Sequence, residues 1–261
     1  MSEMAPLPAT DQLRYYARRS ASYVKRRIQR VEASWARRRG DPVVHFLHVG
    51  KTGGIALGRA IVPYERQGGR IILWHPHETS LRDVPVGEKV FLVLRDPLDR
   101  IRSAYKARQR QGGKSLPTPA PGAERDVFSR YPSLDALGQA LGSAEAEERH
   151  RAETAFHSVK HLQDHYGHWL VSHDYVRERR DDILLICRQE RLATDFEALK
   201  QKLGLPAHAA LSTDAHRANR APAGKEAALS AEGEAGLRRI LAEDYELIAF
   251  LEREGLLEPL A

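Results

Sequence analysis

The sequence predicts an α/β fold, a parallel sheet flanked by helices and preceded by a basic N-terminal helix. Three observations carry this. Four short apolar runs alternate with helix-forming stretches. The runs are continuous in apolar character, the mark of strands covered on both faces. The glycine-rich and polar signals fall at the ends of these runs, where sheets of this kind bind ligands.

The 261 residues suffice for one α/β domain with a well-buried core and an appendage. Hydrophobic residues make up 42% and charged residues 29%, a globular rather than disordered balance. Lysine and arginine number 41 against 35 acidic residues. The net charge of +6 favours anionic partners: nucleotides, sulfated or phosphorylated substrates, nucleic acid or a membrane surface. The lone cysteine, Cys187, excludes an intramolecular disulfide and fits a reducing compartment. No apolar run approaches the roughly 20 residues of a membrane span, and the N-terminus lacks the apolar core of a secretory signal. A soluble cytoplasmic protein is expected, with peripheral membrane contact left open.

Residues 1–40 read as a basic amphipathic arm and 41–261 as the folded domain. No glycine or proline occurs from Asp11 to Arg39. Val24, Ile28, Val31 and Trp35 recur at helical spacing among Arg18, Arg19, Lys25, Arg26, Arg27, Arg30 and Arg37 to Arg39. This predicts a helix packed through its apolar face on the domain or on a twin subunit, or else an arm for a membrane surface or nucleic acid. Gly40-Asp41-Pro42 marks the boundary.

The first strand is expected over 43–49 and a helix over 54–62. A second strand covers 70–74 and ends at His75-Pro76-His77-Glu78. A third covers 89–94, with a helix starting near Pro97. Residues 111–125 form a Gly/Pro-rich loop, a lid or acceptor-binding segment or plain surface. Residues 133–171 read as helical, and 182–187 as the fourth strand. The helix 193–203 is closed by Gly204 and Pro206. A loop follows over 212–225, then a terminal helix over 230–254 capped by Ser230.

Two constellations carry chemistry. The first strand runs into Gly50-Lys51-Thr52-Gly53-Gly54 and then a helix. That layout aims backbone N–H groups and a lysine at one spot at a helix's positive end, which suits a phosphate. It is P-loop-like without being a Walker loop, whose pattern requires glycine where His45 stands. The second constellation is Arg95-Asp96-Pro97-Leu98-Asp99-Arg100-Ile101-Arg102-Ser103-Ala104-Tyr105. Asp96 is placed as an N-cap and Pro97 at the first helical position. The cap does not account for Arg95, and Ser103 could share an anion with it. Two anion sites suggest a ligand with two separated phosphates.

Residues 46–57 resemble the 5′-phosphosulfate loop of sulfotransferases, and 95–105 resemble their 3′-phosphate motif, Arg-Asp-Pro-x-x-Arg-x-x-Ser-x-Tyr. The chain is similar to the carbohydrate-type branch, sulfotransferase family 2, which includes heparan sulfate 2-O-sulfotransferase. Weaker similarity continues through Arg188-Gln189-Glu190, Asp195-Phe196 and Asp244-Tyr245-Glu246-Leu247, over roughly 43–254. The resemblance implies 3′-phosphoadenosine 5′-phosphosulfate as co-substrate and adenosine 3′,5′-bisphosphate as product. Gly50, Lys51, Thr52, Gly53 and Gly54 would hold the 5′ end, and Arg95 and Ser103 the 3′-phosphate. Gly50 replaces the family's proline, and Ile55-Ala56 replace its Thr-Ser pair, removing one phosphate ligand. The implied acceptor is a hydroxyl of a glycan or glycolipid.

Sulfuryl transfer needs a base for the acceptor proton, and neutral imidazole suits that work. The 2-O-sulfotransferases carry a similar His-x-His, which implies His77 as base with His75 in support. Glu78 could orient an imidazole or act as base itself. Lys51 would stabilise the leaving oxygen. His157, His161, His165 and His168 fall at helical spacing and read as an ordinary polar helix face or as a lining of the acceptor cleft; no metal site is expected from them. Cys187 reads as core. Arg220, in a basic loop, is a further candidate cofactor contact. Two other readings stay open: a phosphotransferase using ATP on a degenerate phosphate loop, and a non-enzymatic basic protein binding nucleic acid or membranes.

Overall fold

The computed structural model describes residues 27–110, 122–212 and 228–260. Four strands form one parallel sheet: β1 (Val43–Leu47), β2 (Ile71–Trp74), β3 (Lys89–Leu94) and β4 (Ile183–Arg188). Their order is β2-β1-β3-β4. In register, Val44 lies beside Ile72 of β2 and Lys89 of β3. β3 pairs with β4 from Val90–Ile183 to Leu94–Arg188, with one irregularity at Val90/Phe91. β1 sends the chain to β2 on one side, while β3 lies on the other. The carboxyl ends of β1 and β3 therefore flank the point where the strand order reverses.

Helix α1 (27–39) precedes β1, and α2 (Gly54–Ile61) links β1 to β2. After β3 come α3 (Pro97–Gln109), α4 (Gly122–Arg130), α5 (Leu134–Gly142), α6 (Ala146–Ser158), α7 (Gly167–Leu170) and α8 (His173–Glu178). After β4 come α9 (Leu192–Leu203), α10 (Ala231–Ile240) and α11 (Ala242–Arg253). Val44, Phe46, Phe91, Val93 and Cys187 face α2 and α9. Leu47, Val90, Leu92, Leu94 and Ile186 face α7, α8 and α11. Coverage on both sides explains the continuous apolar strands. A further core joins α3 to α4, α5, α6 and α10.

Several local signals hold. Asp96 accepts from the Asp99 N–H at 2.9 Å, Ser230 accepts from the Gly233 N–H at 3.0 Å, and Gly204 closes α9 with φ 56°. Others do not. The single terminal helix is two, parted at Leu241. From Gly122 the expected 111–125 loop is helical, and its residues up to 121 lie outside the described set. Val24 and the other arm residues before Arg27 also lie outside it.

α1 docks through a different face from the one its large apolar residues mark. Ala33 and Ala36 are buried against Val43 and Leu73, and Gln29 is buried beside them. Ile28, Val31 and Trp35 point outward. Small side chains let the helix axis approach the sheet, so the alanine face lies inward. The helix runs antiparallel to the strands, with Arg37 bonded to Glu88 just before β3 (2.5 and 2.8 Å) and the charge of Arg30 felt at His75 after β2. No helix among the described residues is long and apolar enough to cross a membrane.

Candidate functional site

The turn after β1 is compact. Lys51 (φ 68°) and Gly53 (φ 86°) both hold left-handed backbone, uncommon for lysine and a mark of functional turns. The Thr52 hydroxyl donates to the Val49 carbonyl at 3.0 Å and is fully buried. That bond pins the turn, so what Thr52 offers outward is backbone. No side chain caps α2, and its first turn carries no acidic residue. The N–H groups there are left for an anion or water.

Arg95 leaves β3 toward the same sheet edge. The Tyr166 hydroxyl donates to the Arg95 carbonyl at 2.5 Å and accepts from its N–H at 3.2 Å. Arg95 Nε is buried with no hydrogen-bond partner. Burial lowers the Lys51 pKa, and the charges of Arg95 and then Arg108 lower it further. Arg108 is paired with Glu124 at 2.6 Å. Lys51 and Arg95 make no ion pair among the described residues. Two half-buried cations thus share one edge with no carboxylate to match them among the described residues, an arrangement that asks for an anion.

His77 stands beside this edge. Its Nδ1 lies 2.7 Å from the His48 carbonyl, and a carbonyl only accepts, so Nδ1 carries the proton. Nε2 is then the lone-pair nitrogen, and it has no partner among the described residues. The Trp169 indole N–H donates to the His77 carbonyl at 2.7 Å and fixes the backbone. Burial lowers the His77 pKa, against the His48 bond and Glu78, which raise it. The ring is therefore neutral at ordinary pH.

His161 lies edge-on to His77, ring centroids 5.4 Å apart, and close to Gly50, where a Cβ would come within 3.1 Å of its Nδ1. The helical histidine set is not formed. α6 stops at Ser158, Val159 is extended, and His161 adopts φ 71°. The fully buried Arg100 causes this turn, donating to the carbonyls of His161 (3.0 Å) and Asp164 (2.5 Å). Of the four histidines, His161 alone joins the cleft. His165 turns to Asp244 (3.3 Å), His157 lies against Phe156 and His165, and His168 packs on Trp169. His161 Nδ1 sits 3.7 Å from Asp164, an ion-pair distance too long for a hydrogen bond.

His75 belongs elsewhere. Its Nε2 is 2.8 Å from His45 Nδ1, and His45 Nε2 is 2.6 Å from Glu88. Glu88 accepts, so His45 Nε2 carries a proton and His45 Nδ1 accepts from His75. This Arg37–Glu88–His45–His75 chain runs under α1. Burial, then His45, pushes the His75 pKa down to about 4.

The sites assigned from sequence thus divide. Lys51, Arg95 and the 50–54 turn meet at one edge, with His77 adjoining. Ser103 is half-buried on α3, one helix turn beyond the buried Arg100, with no bond of its own among the described residues. Arg220 lies outside the described residues. Glu78 is exposed. The weaker similarity segments act as supports: Glu190 accepts from the Asp96 N–H (2.6 Å), Gln189 packs on Gly53, Asp195 accepts from the Arg188 N–H (2.6 Å), and Asp244 accepts from the Tyr166 N–H (2.6 Å). His48 and Gly54 form a pair that carries no motif. Its ring fills the place of a Gly54 Cβ, which would come within 2.4 Å.

The geometry defines an α/β protein with an anion-seeking edge at a strand-order reversal and a neutral histidine beside it. The chain matches no family model and no curated protein.

Proposed function

We propose that this protein is a sulfotransferase that moves a sulfuryl group from 3′-phosphoadenosine 5′-phosphosulfate to a hydroxyl of a carbohydrate or glycoconjugate. One observation carries the reading. Lys51 and Arg95, which the two motif resemblances assign to opposite ends of the nucleotide, share one edge with no carboxylate partner among the described residues. The P-loop-like character of the turn, with an uncapped α2 behind it, supports the same reading.

The residues fit such a ligand. The 50–54 turn and Lys51 would hold its 5′ end, and Arg95 with Ser103 its 3′-phosphate. The unpartnered Arg95 Nε is a donor awaiting an acceptor. When bound, the nucleotide supplies the sulfuryl group. His77 Nε2 takes the acceptor hydroxyl's proton as the new oxygen–sulfur bond forms. Lys51 opposes the negative charge that grows on the phosphate oxygen as the old bond breaks. Tyr166 and Arg100 keep Arg95 and the 161–164 turn in place.

Thermal denaturation with adenosine 3′,5′-bisphosphate tests this. The bisphosphate should raise the melting temperature, and ATP with magnesium should not. Lys51→Ala and Arg95→Ala should each weaken binding about ten- to hundredfold, the range of a charge-assisted bond. Stabilisation by ATP–magnesium alone would move the reading to phosphoryl transfer. Labelled-sulfate transfer across glycans, glycolipids and small alcohols then identifies the acceptor.

A further inference from the structure

The outward face of α1 has a composition that the sheet does not explain. Ile28, Val31 and Trp35 are 49%, 58% and 55% exposed, and their spacing of three and four places them on one stripe. Val86, in the turn before β3, is also 80% exposed, but the Arg37–Glu88 bond holds that turn on the side of α1 away from Trp35. The stripe holds three of the five large exposed apolar side chains among the described residues. Scattered singly they would be ordinary, but gathered on one surface they mark a contact.

The charges around the stripe are one-sided. Glu32 is matched by Arg66 at 2.8 Å, Glu88 by Arg37 at 2.5 Å, and Asp41 by Arg39 at 2.8 Å. Arg27, Arg30 and Arg38 are exposed and make no ion pair among the described residues. Arg38 lies over the Trp35 ring at 5.4 Å, apolar stem along the ring and charge at its edge.

We propose that this face of α1 rests on an anionic lipid surface. Charge selects the occupant. A second copy docking by the same face through a twofold axis would set arginines against arginines. A layer of anionic headgroups meets them with opposite sign, and an indole suits the headgroup boundary. The helix is already docked by its alanine face, so it can lie flat on the surface without leaving the sheet.

Vesicle flotation of the full chain decides it. Binding is expected to phosphatidylcholine vesicles carrying roughly one-third phosphatidylserine, and not to pure phosphatidylcholine, and should weaken with salt. Val31→Glu with Trp35→Glu should cut binding at least about tenfold while circular dichroism and melting stay unchanged. Arg27→Gln, Arg30→Gln and Arg38→Gln together should cut it by about a hundredfold, at about fivefold per cation. No flotation on either vesicle, or flotation indifferent to both sets of substitutions, overturns the proposal. So does concentration-dependent dimerisation, or retention on an acidic protein without vesicle binding, if Trp35→Glu abolishes it.

Discussion

His75 and His77 are separated only by Pro76, yet they meet opposite fates. His75 continues the β2 alternation onto the face that carries Leu73 and His45, and its Nε2 is bonded to His45. After the proline the chain turns, and His77 enters the cleft with its Nδ1 proton on the His48 carbonyl. Burial leaves both rings neutral, and each keeps one basic nitrogen without a partner among the described residues, Nδ1 of His75 and Nε2 of His77, but only His77 stands beside the turn that carries Lys51. Low basicity alone therefore does not mark a catalytic imidazole. What matters is where in the fold the open nitrogen lies.

The sharpest way to break this comparison is to remove each ring. His77→Ala should lower kcat by about 10²–10⁴-fold, the usual contribution of a general base, with affinity for the bisphosphate unchanged. His75→Ala should keep kcat within about tenfold and lose stability instead, by about 1–3 kcal/mol for the bond stranded on buried His45. Equal kinetic losses in both variants would erase the distinction. The wild-type rate should hold from neutral pH into mild acid and fall only as pH drops through a His77 pKa below the ordinary histidine value.

Next in size is acid stability. Burial, with His77 and His161 adding to it, lowers the His48 pKa to about 3. The unfolded chain binds that proton near pH 6.5, so between pH 6.5 and 3 unfolding takes up protons and stability rises with pH. Stability is full above the unfolded value and lost as pH falls. His48 alone should cost on the order of 3 kcal/mol between pH 7 and pH 4. Urea melts at the two pH values measure it. His48→Leu should flatten the slope, and an unchanged slope would show that the ring is not buried neutral.

The strands, the Asp96 and Ser230 caps, the glycine turn and Arg95 were legible because they rest on local patterns: apolar runs, cap residues and glycine spacing. The histidine helix failed because a long-range cause intervened. Arg100, buried at the foot of α3, takes the His161 and Asp164 carbonyls and stops the helix. Of the alternatives for the apolar face of α1, packing on the domain fails for a related reason. Hydrophobicity marked Val31 and Trp35 as the inner face, while packing against Val43 and Leu73 selected the small Ala33 and Ala36. His45 did carry a signal. A polar residue inside a buried strand must find a partner, and Glu88 was the acid within reach.

A smaller effect separates the two histidines through Glu88. Glu88→Gln removes the charge that fixes the His45 proton and pairs with Arg37, while an amide can still bond one of them. A loss of about 1–3 kcal/mol is expected in urea melts, together with a changed titration of His45 and His75 by NMR. The pH profile of kcat should not move, because His77 lies outside that chain. A shifted kinetic profile would join the two histidines into one unit.

The smallest test is Gly50→Ala. Gly50 has no left-handed backbone to lose, so alanine brings only its methyl group. That methyl would stand 3.1 Å from His161 Nδ1 and 3.8 Å from His77 Nδ1. The His161 ring must yield by a few tenths of an ångström, while its backbone stays held by Arg100. Stability should change by less than about 1 kcal/mol, since the contact is with a movable ring end. Gly54→Ala is the control with the larger penalty, because the His48 ring at 2.4 Å is wedged against Phe46, Trp74 and His77. If the cleft is built as described, Gly50→Ala should slow turnover several-fold and leave bisphosphate binding near wild type. A loss of binding as deep as that of Lys51→Ala would mean that the methyl disturbs the grip of the 50–54 turn on the phosphate and not the His161 and His77 rings.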